Sequence, residues 1–435
     1  LAVGGIKLLA KSLKERDPGR LVAVGGPTPS GAADIFDDCL DVDFLLAGEG
    51  EITLLELAQI LRVNDWQAPA SPSEVEALGG LYHRSGGRLI FNGPRRRLPV
   101  LDDLPDARRD YYWLDYERRL VIRDVQLNGV ATSRGCLKMC RFCGARTIWP
   151  GPVRYRSIER VIGEVADLRR SYGEDFQHFS IFDDDFLARP DRVNDFCGRL
   201  RELEGDYKFR CYGRVNNLQN EEMIETLIKT GCQEIWVGVE SGSQKVLKAM
   251  GKGITVSQIK RLDQLFHNYD FPWLAFIILG TPPESEADIE LTLNLLRAGH
   301  FPNIQPFTFQ PYTGTDFFRQ LRAEGRLDYD DIIRGHQNLP QCFSQLVEPE
   351  RFWQLLEQLN QLAADRREHW FPGLSPVEVK EAELWEMETA KFLSAGSDGF
   401  VALGPERQLR WLAALNHYQG LGADLTLVDA EAVET

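Results

Sequence analysis

The chain has 435 residues, of which 43% are hydrophobic and 26% are charged, values typical of a globular protein long enough for two or three domains. Its 65 acidic and 50 basic residues give a net charge of -15, which opposes a general affinity for nucleic acid. The sequence contains no run of about 18 apolar residues, the length that would predict a membrane span. Its eight cysteines are too few for a disulfide framework.

The first segment, residues 1–67, alternates predicted helices and strands. It begins at Leu1, in what the spacing of Ile6, Leu9 and Leu13 predicts to be the middle of a helix, so we expect the N-terminus of this domain to be incomplete. Apolar runs at 21–26 and 43–47 are typical of buried parallel strands, and each is followed by a predicted helix, the first at about 31–39. The pattern predicts half of a doubly wound sheet, with ligand-facing loops at the carboxyl ends of its strands.

Two strand-to-helix loops in this segment are candidates for ligand binding. Their glycines would let the backbone approach a bulky ligand, and Thr28 or Ser30 could hydrogen-bond it. An ordinary pair of turns is the alternative, in which Glu51 simply favours a helix N-terminus. The candidate residues are Gly25, Gly26, Thr28, Ser30, Gly48, Glu49 and Gly50.

Residues 68–124 are predicted to be a linker. The stretch 68–73 is rich in proline and serine, and the segments 81–84 and 88–92 predict a small hairpin around Ser85-Gly-Gly87. We expect this linker to position one domain over the other.

Three cysteines then occur within eight residues: Cys136, Cys140 and Cys143. A four-iron cluster normally takes four thiolates, so three in one short loop predict a cluster with one iron open to a substrate or cofactor. A structural zinc site is the main rival, but it needs four ligands in recognisable pairs, and no second Cys or His pair follows. The other five cysteines are scattered singly, as buried apolar residues usually are.

Residues 125–338 are predicted to repeat a strand and a helix about six times, which builds a parallel sheet with its site at the carboxyl ends of the strands. Candidate strands begin near residues 127, 176, 208, 234, 273 and 303. The cysteine loop follows the first of them. Residues 339–435 begin with a helical stripe that contains Phe352, Leu355 and Leu359 and then become irregular.

The cysteine motif, with an aromatic residue, Phe142, just before the third cysteine, resembles the signature of the radical S-adenosylmethionine (SAM) enzymes. The two glycine loops and the linker phrase Leu101-Asp-Asp-Leu-Pro105 resemble the subgroup that has a cobalamin-binding domain in front. The resemblance spans about 21–317. It implies an α/β protein with a partial Rossmann-like cobalamin-binding domain, a partial (β/α)6 radical SAM barrel and a mainly helical C-terminal region.

The same resemblance implies the residues that would contact SAM. The residues at strand ends that match the family are Asp184, Arg214, Glu240 with Ser241, and Gly280. Phe142 lies within the cysteine motif itself. Two alternatives stay open: the acidic run at 183–185 could be a solvated turn, above all at Asp183 and Asp185, and Arg214 could form a surface salt bridge. In the turn that follows Gly280, the second of two prolines, Pro283, stands where the family commonly has a glycine. Proline makes the backbone of this turn stiffer and its contacts with SAM less secure.

The implied cofactors are a 4Fe-4S cluster, SAM and cobalamin. The implied reaction cleaves SAM at the cluster and functionalises an unactivated carbon or phosphorus centre, with methylation of a small-molecule or natural-product substrate expected. Rival interpretations are a cyclase or oxidoreductase without methyl transfer, and a cobalamin- or metal-binding module that is not an enzyme. We also expect a reducing partner such as flavodoxin or ferredoxin, no nucleic-acid partner, and a cytoplasmic location because such clusters are sensitive to oxygen.

The C-terminal region, 339–435, is expected to determine the substrate. Its tryptophans at 353, 370 and 385 could line a substrate cavity, but packing within a helical lid is the more usual use of large aromatic residues. The sequence does not identify the substrate.

Overall fold

A computed structural model describes residues 3–67, 72–107, 129–172, 178–327 and 342–367. Its helices are α1 Val3–Arg16, α2 Pro27–Ala32, α3 Gly50–Val63, α4 Ala145–Ile148, α5 Ile158–Tyr172, α6 Pro190–Glu202, α7 Glu221–Lys229, α8 Gln244–Ala249, α9 Val256–Asn268, α10 Glu286–Ala298, α11 Asp316–Ala323 and α12 Pro349–Arg367. None of the helices in these ranges combines the length and apolar character needed to cross a membrane.

The strands form two main sheets and one short ribbon. They are β1 Ala23–Gly25, β2 Phe44–Leu46, β3 Leu81–Ser85, β4 Arg88–Phe91, β5 Gly129–Val130, β6 Ser133–Arg134, β7 Arg154–Tyr155, β8 His178–Ile181, β9 Lys208–Gly213, β10 Cys232–Glu240, β11 Trp273–Leu279 and β12 Asn303–Thr308. Every strand start predicted for the second domain lies within two residues of an observed start.

The first sheet has the order β1-β2-β3-β4. Strands β1 and β2 are parallel, as predicted, with Ala23 opposite Phe44. The predicted hairpin forms and pairs antiparallel with β2, with His83 opposite Phe44, so the start of the predicted linker extends the first sheet. The helix expected at about 31–39 is divided instead into α2 and a 3-10 turn at Ala33–Phe36, which buries Ile35 and Phe36 completely.

The second sheet has the order β12-β11-β10-β9-β8-β5, and all of its neighbouring strands are parallel. Its outer face is covered by helices, so side chains that point outward, such as those of Phe209, Ile235 and Trp273, are fully buried. The inward side chains of β9, β10 and β11 alternate with these and are only partly buried. This is the predicted partial barrel, with one closed face and one open interior.

The helical stripe predicted after residue 339 forms α12, which packs against α10 and β12. Phe352, Leu355 and Leu359 are completely buried there, whereas Trp353 is half-exposed. Trp370 and Trp385, which sequence analysis also considered, lie outside the described residues. Helix α12 therefore closes the outer side of the barrel at β12.

The first sheet and the barrel make direct contact. Gly31 lies against the backbone of Thr313, and a Cβ at Gly31 would come within 2.6 Å of the Thr313 carbonyl. Phe318 of α11 is buried in the apolar core of the first domain, and Arg322 forms an ion pair of 2.5 Å with Asp34. These contacts place the loops of the first domain beside the cysteine motif.

Candidate active site

The cysteine motif is a loop between β6 and α4, at the carboxyl end of the first barrel strand. Cys136 and Cys140 are half-buried and Cys143 is exposed, and all three are free thiols. The Cys143 backbone N–H donates to the Cys140 carbonyl at 3.2 Å, which turns the loop back on itself. Within the described ranges, no three His, Cys, Asp or Glu side chains converge closely enough to hold a single metal ion.

The loop is held by the segment that follows β10 and by α11. The Arg141 N–H donates to the Met250 carbonyl at 2.9 Å, and the Arg141 carbonyl accepts from Phe317 at 3.1 Å. The Arg141 guanidinium lies 4.5 Å from the centre of the Phe317 ring. Gly251 has a φ of +66° and no side chain, so the Met139 carbonyl can pack against it. A Cβ at Gly251 would lie 3.0 Å from the Met139 carbonyl oxygen. The backbone of the motif is thus fixed by tertiary contacts.

The protein alone favours the neutral thiols at two of the cysteines. Burial raises the pKa of Cys136. At Cys143, packed protein removes water from the thiol although part of the residue stays exposed, and this raises its pKa to about 11. Only the thiolate ligates a metal, so binding of a cluster would release these protons. Arg214 already donates to Cys140 Sγ, at 3.5 Å.

The acidic run after β8 divides into three environments. Asp183 is 2% exposed and accepts four hydrogen bonds, from the backbone N–H and hydroxyl groups of Thr132 and Ser133 at 2.6 to 3.1 Å. Asp185 is 7% exposed and accepts two bonds from Asn217. The solvated-turn interpretation is therefore wrong for both residues. Asp183 instead fixes the chain immediately before the cysteine motif.

Asp184, the residue that the resemblance selects, is exposed on one side. Protein surrounds the carboxyl on its other sides, and this loss of water, with the charge of Asp183 adding to it, raises the pKa of Asp184 to about 6. Its backbone partner is the N–H of Gly135, the residue before Cys136. An exposed carboxylate beside the motif can accept hydrogen bonds from a ligand bound there.

Glu240 lies at the end of β10 and forms a buried ion pair with Lys252. The two charged atoms are 2.5 Å apart, and each side chain is 6% exposed. Glu240 has a φ of +65°, where the register of β10 shifts between Gly238 and Glu240. The Lys252 ammonium also lies 5.9 Å from the centre of the Phe142 ring. This ion pair therefore lies next to the aromatic residue of the motif.

Arg214 joins this ion pair to the cysteines. Its guanidinium donates to the Lys252 carbonyl and to Cys140, and its Nε has no hydrogen-bond partner among the described residues. The side chain is 6% exposed, so the surface-salt-bridge interpretation of Arg214 is wrong. A buried donor without a partner is costly, and a bound anionic group would satisfy it.

Ser241 and Gly280 lie deeper in the structure. Ser241 is completely buried, and its hydroxyl is 3.1 Å from that of Thr292 and accepts from Ser243. Gly280 has a φ of +84°, and its N–H donates to Glu284 at 2.6 Å. Burial raises the pKa of Glu284 to about 8. Any ligand contact at Gly280 would be to backbone atoms, because glycine has no side chain.

The glycine loops of the first domain are tied together by Ser30. Its hydroxyl donates to the Gly26 carbonyl and accepts from the Gly48 N–H, both at 2.8 Å. Gly26 and Gly48 have φ values of +104° and +75°, and no atom lies within 4 Å of where a Cβ would stand. The two loops thus present open backbone on one side, as contact with a bulky ligand requires.

The second loop also contacts the strand that leads into the cysteine motif. Glu49 is almost buried and forms ion pairs with Arg154 and, at 3.6 Å, with Arg134. Arg134, two residues before Cys136, also pairs with Glu51 and lies 4.8 Å from the centre of the Trp149 ring. The carboxylate of Glu49 is engaged by the barrel in this structure. Thr28 is half-buried, and Gly25 and Gly50 lie at the end of β1 and the start of α3.

Comparison with known families identifies the barrel. Residues 130–296 match the model of the radical SAM superfamily, and the three cysteines of its motif lie on the loop after the first strand. This part of the chain is a radical SAM domain. The match covers β5 to α10 and includes Cys136, Cys140, Cys143, Arg214 and Glu240.

Relatives and solved structures extend the likeness beyond the radical SAM domain. An uncharacterized methyltransferase of Pyrococcus horikoshii is 27% identical over 320 residues, which are 73% of this chain and 67% of that protein. An anaerobic magnesium-protoporphyrin IX monomethyl ester cyclase of Synechocystis is 22% identical over 379 residues, 82% of this chain and 73% of that protein. Among solved structures, the radical SAM methyltransferase TsrM of Kitasatospora setae, determined with cobalamin and a [4Fe-4S] cluster bound, has a TM-score of 0.60 at 13% identity and covers 84% of each chain. At that identity, the structural match establishes the shared fold.

Sequence reasoning missed Lys252, the partner of Glu240. The signal was present in Gly251-Lys-Gly253, where two glycines with φ of +66° and +69° flank the lysine and turn it back into the barrel. It also missed the two arginines that bind Glu49, since they are separated from it by 85 and 105 residues and nothing in the sequence pairs them.

Proposed function

We propose that this radical SAM protein is a cobalamin-dependent methyltransferase that acts on a small-molecule substrate. The main support is one chain of contacts: the glycine loop at 48–51 is paired through Glu49 and Glu51 to Arg134, and Arg134 is two residues from Cys136. A ligand on the open backbone of Gly26 and Gly48 would therefore lie beside the cysteine motif. The methyltransferase names among the relatives agree with this arrangement.

The residues present fit the three cofactors. Cys136, Cys140 and Cys143 would ligate the cluster, and the backbone of Gly25, Gly26, Gly48 and Gly50, with Thr28 and Ser30, would contact cobalamin. Arg214, Glu240, Lys252 and Asp184 would surround SAM with both signs of charge, which suits a ligand that is itself zwitterionic. When bound, the cluster and SAM supply the radical chemistry, and cobalamin supplies a methyl group.

The side chains would mainly position these ligands. Asp183 fixes the approach to Cys136 through four hydrogen bonds, and Arg141 fixes the middle of the loop. The Arg214 guanidinium donates to Cys140 Sγ, and its Nε, which has no partner among the described residues, is available to an anionic group. The ion pairs of Arg134 and Arg154 hold the first domain against the barrel.

A second candidate is a cyclase or oxidoreductase with the same cofactors. The cyclase of Synechocystis supports it, because that relative aligns with more of this chain than the Pyrococcus methyltransferase does. The two functions differ in their product: only the methyltransferase leaves a mass increase of one methyl group on the substrate. Either function requires an external one-electron donor, and we propose a flavodoxin or ferredoxin.

The catalytic part of the proposal is tested on the full-length protein purified without oxygen. Its cluster is rebuilt, SAM and a strong reductant are added, and 5'-deoxyadenosine is measured by mass spectrometry together with bound iron. We expect cleavage of SAM that is abolished in Cys140→Ala and retained in Cys342→Ala, a half-buried cysteine outside the motif. Equal iron content and equal cleavage in Cys140→Ala and the unmodified protein would refute the cluster assignment.

The cobalamin part is tested separately by retention of cobalamin on gel filtration, read from its visible spectrum. Gly25 has an ordinary φ and only Leu46 near its Cβ position, at 3.7 Å, so Gly25→Leu should be tolerated by the fold and should block the ligand surface. Gly163→Leu, at an open position on α5, is the matched control. We expect retention to fall at least tenfold in Gly25→Leu alone. Retention unchanged in Gly25→Leu would contradict the assigned surface.

A further inference from the structure

Five aromatic rings line the open interior of the barrel. Tyr212, Trp236, Phe276 and Phe307 lie on successive neighbouring strands from β9 to β12, and Phe182 directly follows β8. We call this set the aromatic floor. Their ring centres are 4.9 Å apart for Tyr212 and Trp236, 6.2 Å for Tyr212 and Phe276, 5.6 Å for Phe276 and Phe307, and 6.4 Å for Phe182 and Tyr212. The rings therefore form one connected surface.

The aromatic floor is not a filled core. Closed barrels of this general type fill their interior with layers of branched aliphatic side chains. Here Phe182 is 37% exposed and Phe307 is 46% exposed, although both lie in a group of touching rings. Exposed aromatic rings gathered in a concave interior are typical of ligand sites rather than of packing.

Two polar side chains beside the Trp236 ring are already paired with each other. The Trp236 indole N–H donates to Glu234 at 2.7 Å, and Arg210 lies 3.7 Å from the same carboxylate and 5.3 Å from the centre of the Trp236 ring. The exposed ring surface of Phe182 and Phe307 remains open to a ligand. A strongly polar substrate group placed on it would lose its hydration without gaining partners.

The aromatic floor adjoins the proposed SAM site along β10. Phe276 lies opposite Gly238, and Glu240 is two residues further on the same strand. The Glu240 and Lys252 side chains lie over Gly238, where a Cβ would be 2.3 Å from Glu240 Oε1 and 2.4 Å from Lys252 Nζ. A molecule resting on the rings would thus have one edge at the charged groups around Arg214 and Glu240.

We propose that the substrate contains a planar ring system of at least two conjugated rings, which stacks on the aromatic floor; this rests on the proposed function. Planarity follows from the rings of Tyr212 and Phe276, which lie within 26° of parallel and can bind another π-system by offset stacking, while the tilted rings of Phe182 and Phe307 can make edge contacts with it. The minimum size follows from the 6.2 Å between the ring centres of Tyr212 and Phe276, which is wider than one six-membered ring.

The experiment compares two probes with the same carbon skeleton, 2-naphthoate and its fully saturated decahydro analogue. Binding to the cluster-loaded full-length protein is measured by calorimetry. We expect naphthoate to bind at least tenfold more tightly than the saturated acid. Phe307→Leu and Phe182→Leu each remove one ring while keeping an apolar side chain, and each should weaken naphthoate binding by about 2- to 12-fold, the range provided by one ring contact.

Phe91→Leu is the matched control, because Phe91 is a 41% exposed ring on β4 of the first domain, where it stacks on Tyr82. It should leave naphthoate binding unchanged. Equal affinity for the two probes, binding of neither, or no effect of Phe307→Leu and Phe182→Leu would overturn the inference. Cleavage of SAM is measured on the same samples: cleavage without a preference for the planar probe refutes only this inference, and the preference without cleavage refutes only the proposed catalysis.

Discussion

Replacing Lys252 with methionine should strongly destabilise the protein before any cofactor is bound. The ammonium of Lys252 and the carboxylate of Glu240 are 2.5 Å apart and each side chain is 6% exposed, so the substitution leaves a carboxylate without its partner in a nearly dry site. Breaking a buried ion pair by removing one partner costs about 3–5 kcal/mol. We expect the free energy of unfolding of Lys252→Met to fall by about that amount.

The doubly substituted protein Lys252→Met, Glu240→Gln should recover most of the loss, since removing both charges also removes the cost of burying them. The assay is urea-induced unfolding of the cluster-free protein, followed by circular dichroism. Lys229→Met is the matched control, because Lys229 pairs with Glu225 at 2.8 Å on the exposed face of α7. This control should unfold like the unmodified protein.

Two results would refute the reasoning about this ion pair. One is a loss of less than about 1 kcal/mol in Lys252→Met, which would mean that the pair is hydrated like a surface salt bridge. The other is a double variant as unstable as the single one, which would mean that the packing of the lysine stem, rather than its charge, stabilises the site.

Two further predictions concern residues beside this site. Gly238→Ala should lower the free energy of unfolding by about 1–3 kcal/mol, because the new methyl group would come within 2.4 Å of the ion pair; urea unfolding equal to that of the unmodified protein would contradict this. The pKa of Glu284 is raised to about 8 from its usual value of 4.5 because the carboxyl is fully buried, so the folded state keeps a proton that the unfolded state releases, and stability should fall as the pH rises from about 4.5 to 8. The thermal midpoint of Glu284→Gln should lose that part of the pH dependence, whereas identical profiles for the two proteins would show that Glu284 is ionised in the folded state.

Local patterns were sufficient for the secondary structure of the barrel. Each strand is a short apolar run, and the helix that follows it has apolar residues at a regular helical spacing. The two spacings of apolar residues differ, so strands and helices could be distinguished along the chain. One exception lies outside the barrel. The segment at 27–36 divides into α2 and a 3-10 turn, and Gly31 within it lies directly against the backbone at Thr313, a contact 282 residues away in the sequence.

Parts of the candidate site were visible in the sequence for a different reason. The spacing of the cysteines, and the acidic or basic residues at strand ends, follow from the chemistry of the ligands, so they can be recognised as short motifs. The environments of these residues cannot be recognised in the sequence. Asp183 and Asp184 are neighbours in sequence, yet one is buried with four hydrogen bonds and the other is exposed. Alternation of side chains along an extended chain separates them, and only the packing decides which one faces inward.

The sequence by itself determined the order of the elements, the membership of the motif cysteines in one loop and the position of that loop after the first barrel strand, because each depends on residues close together in the chain. The tertiary structure alone decided that Lys252 neutralises Glu240, that Arg134 and Arg154 hold Glu49, and that five aromatic rings meet inside the barrel. Those are contacts between distant segments. They depend on how the strands are placed side by side and on which charges burial forces to pair, and a linear pattern contains neither.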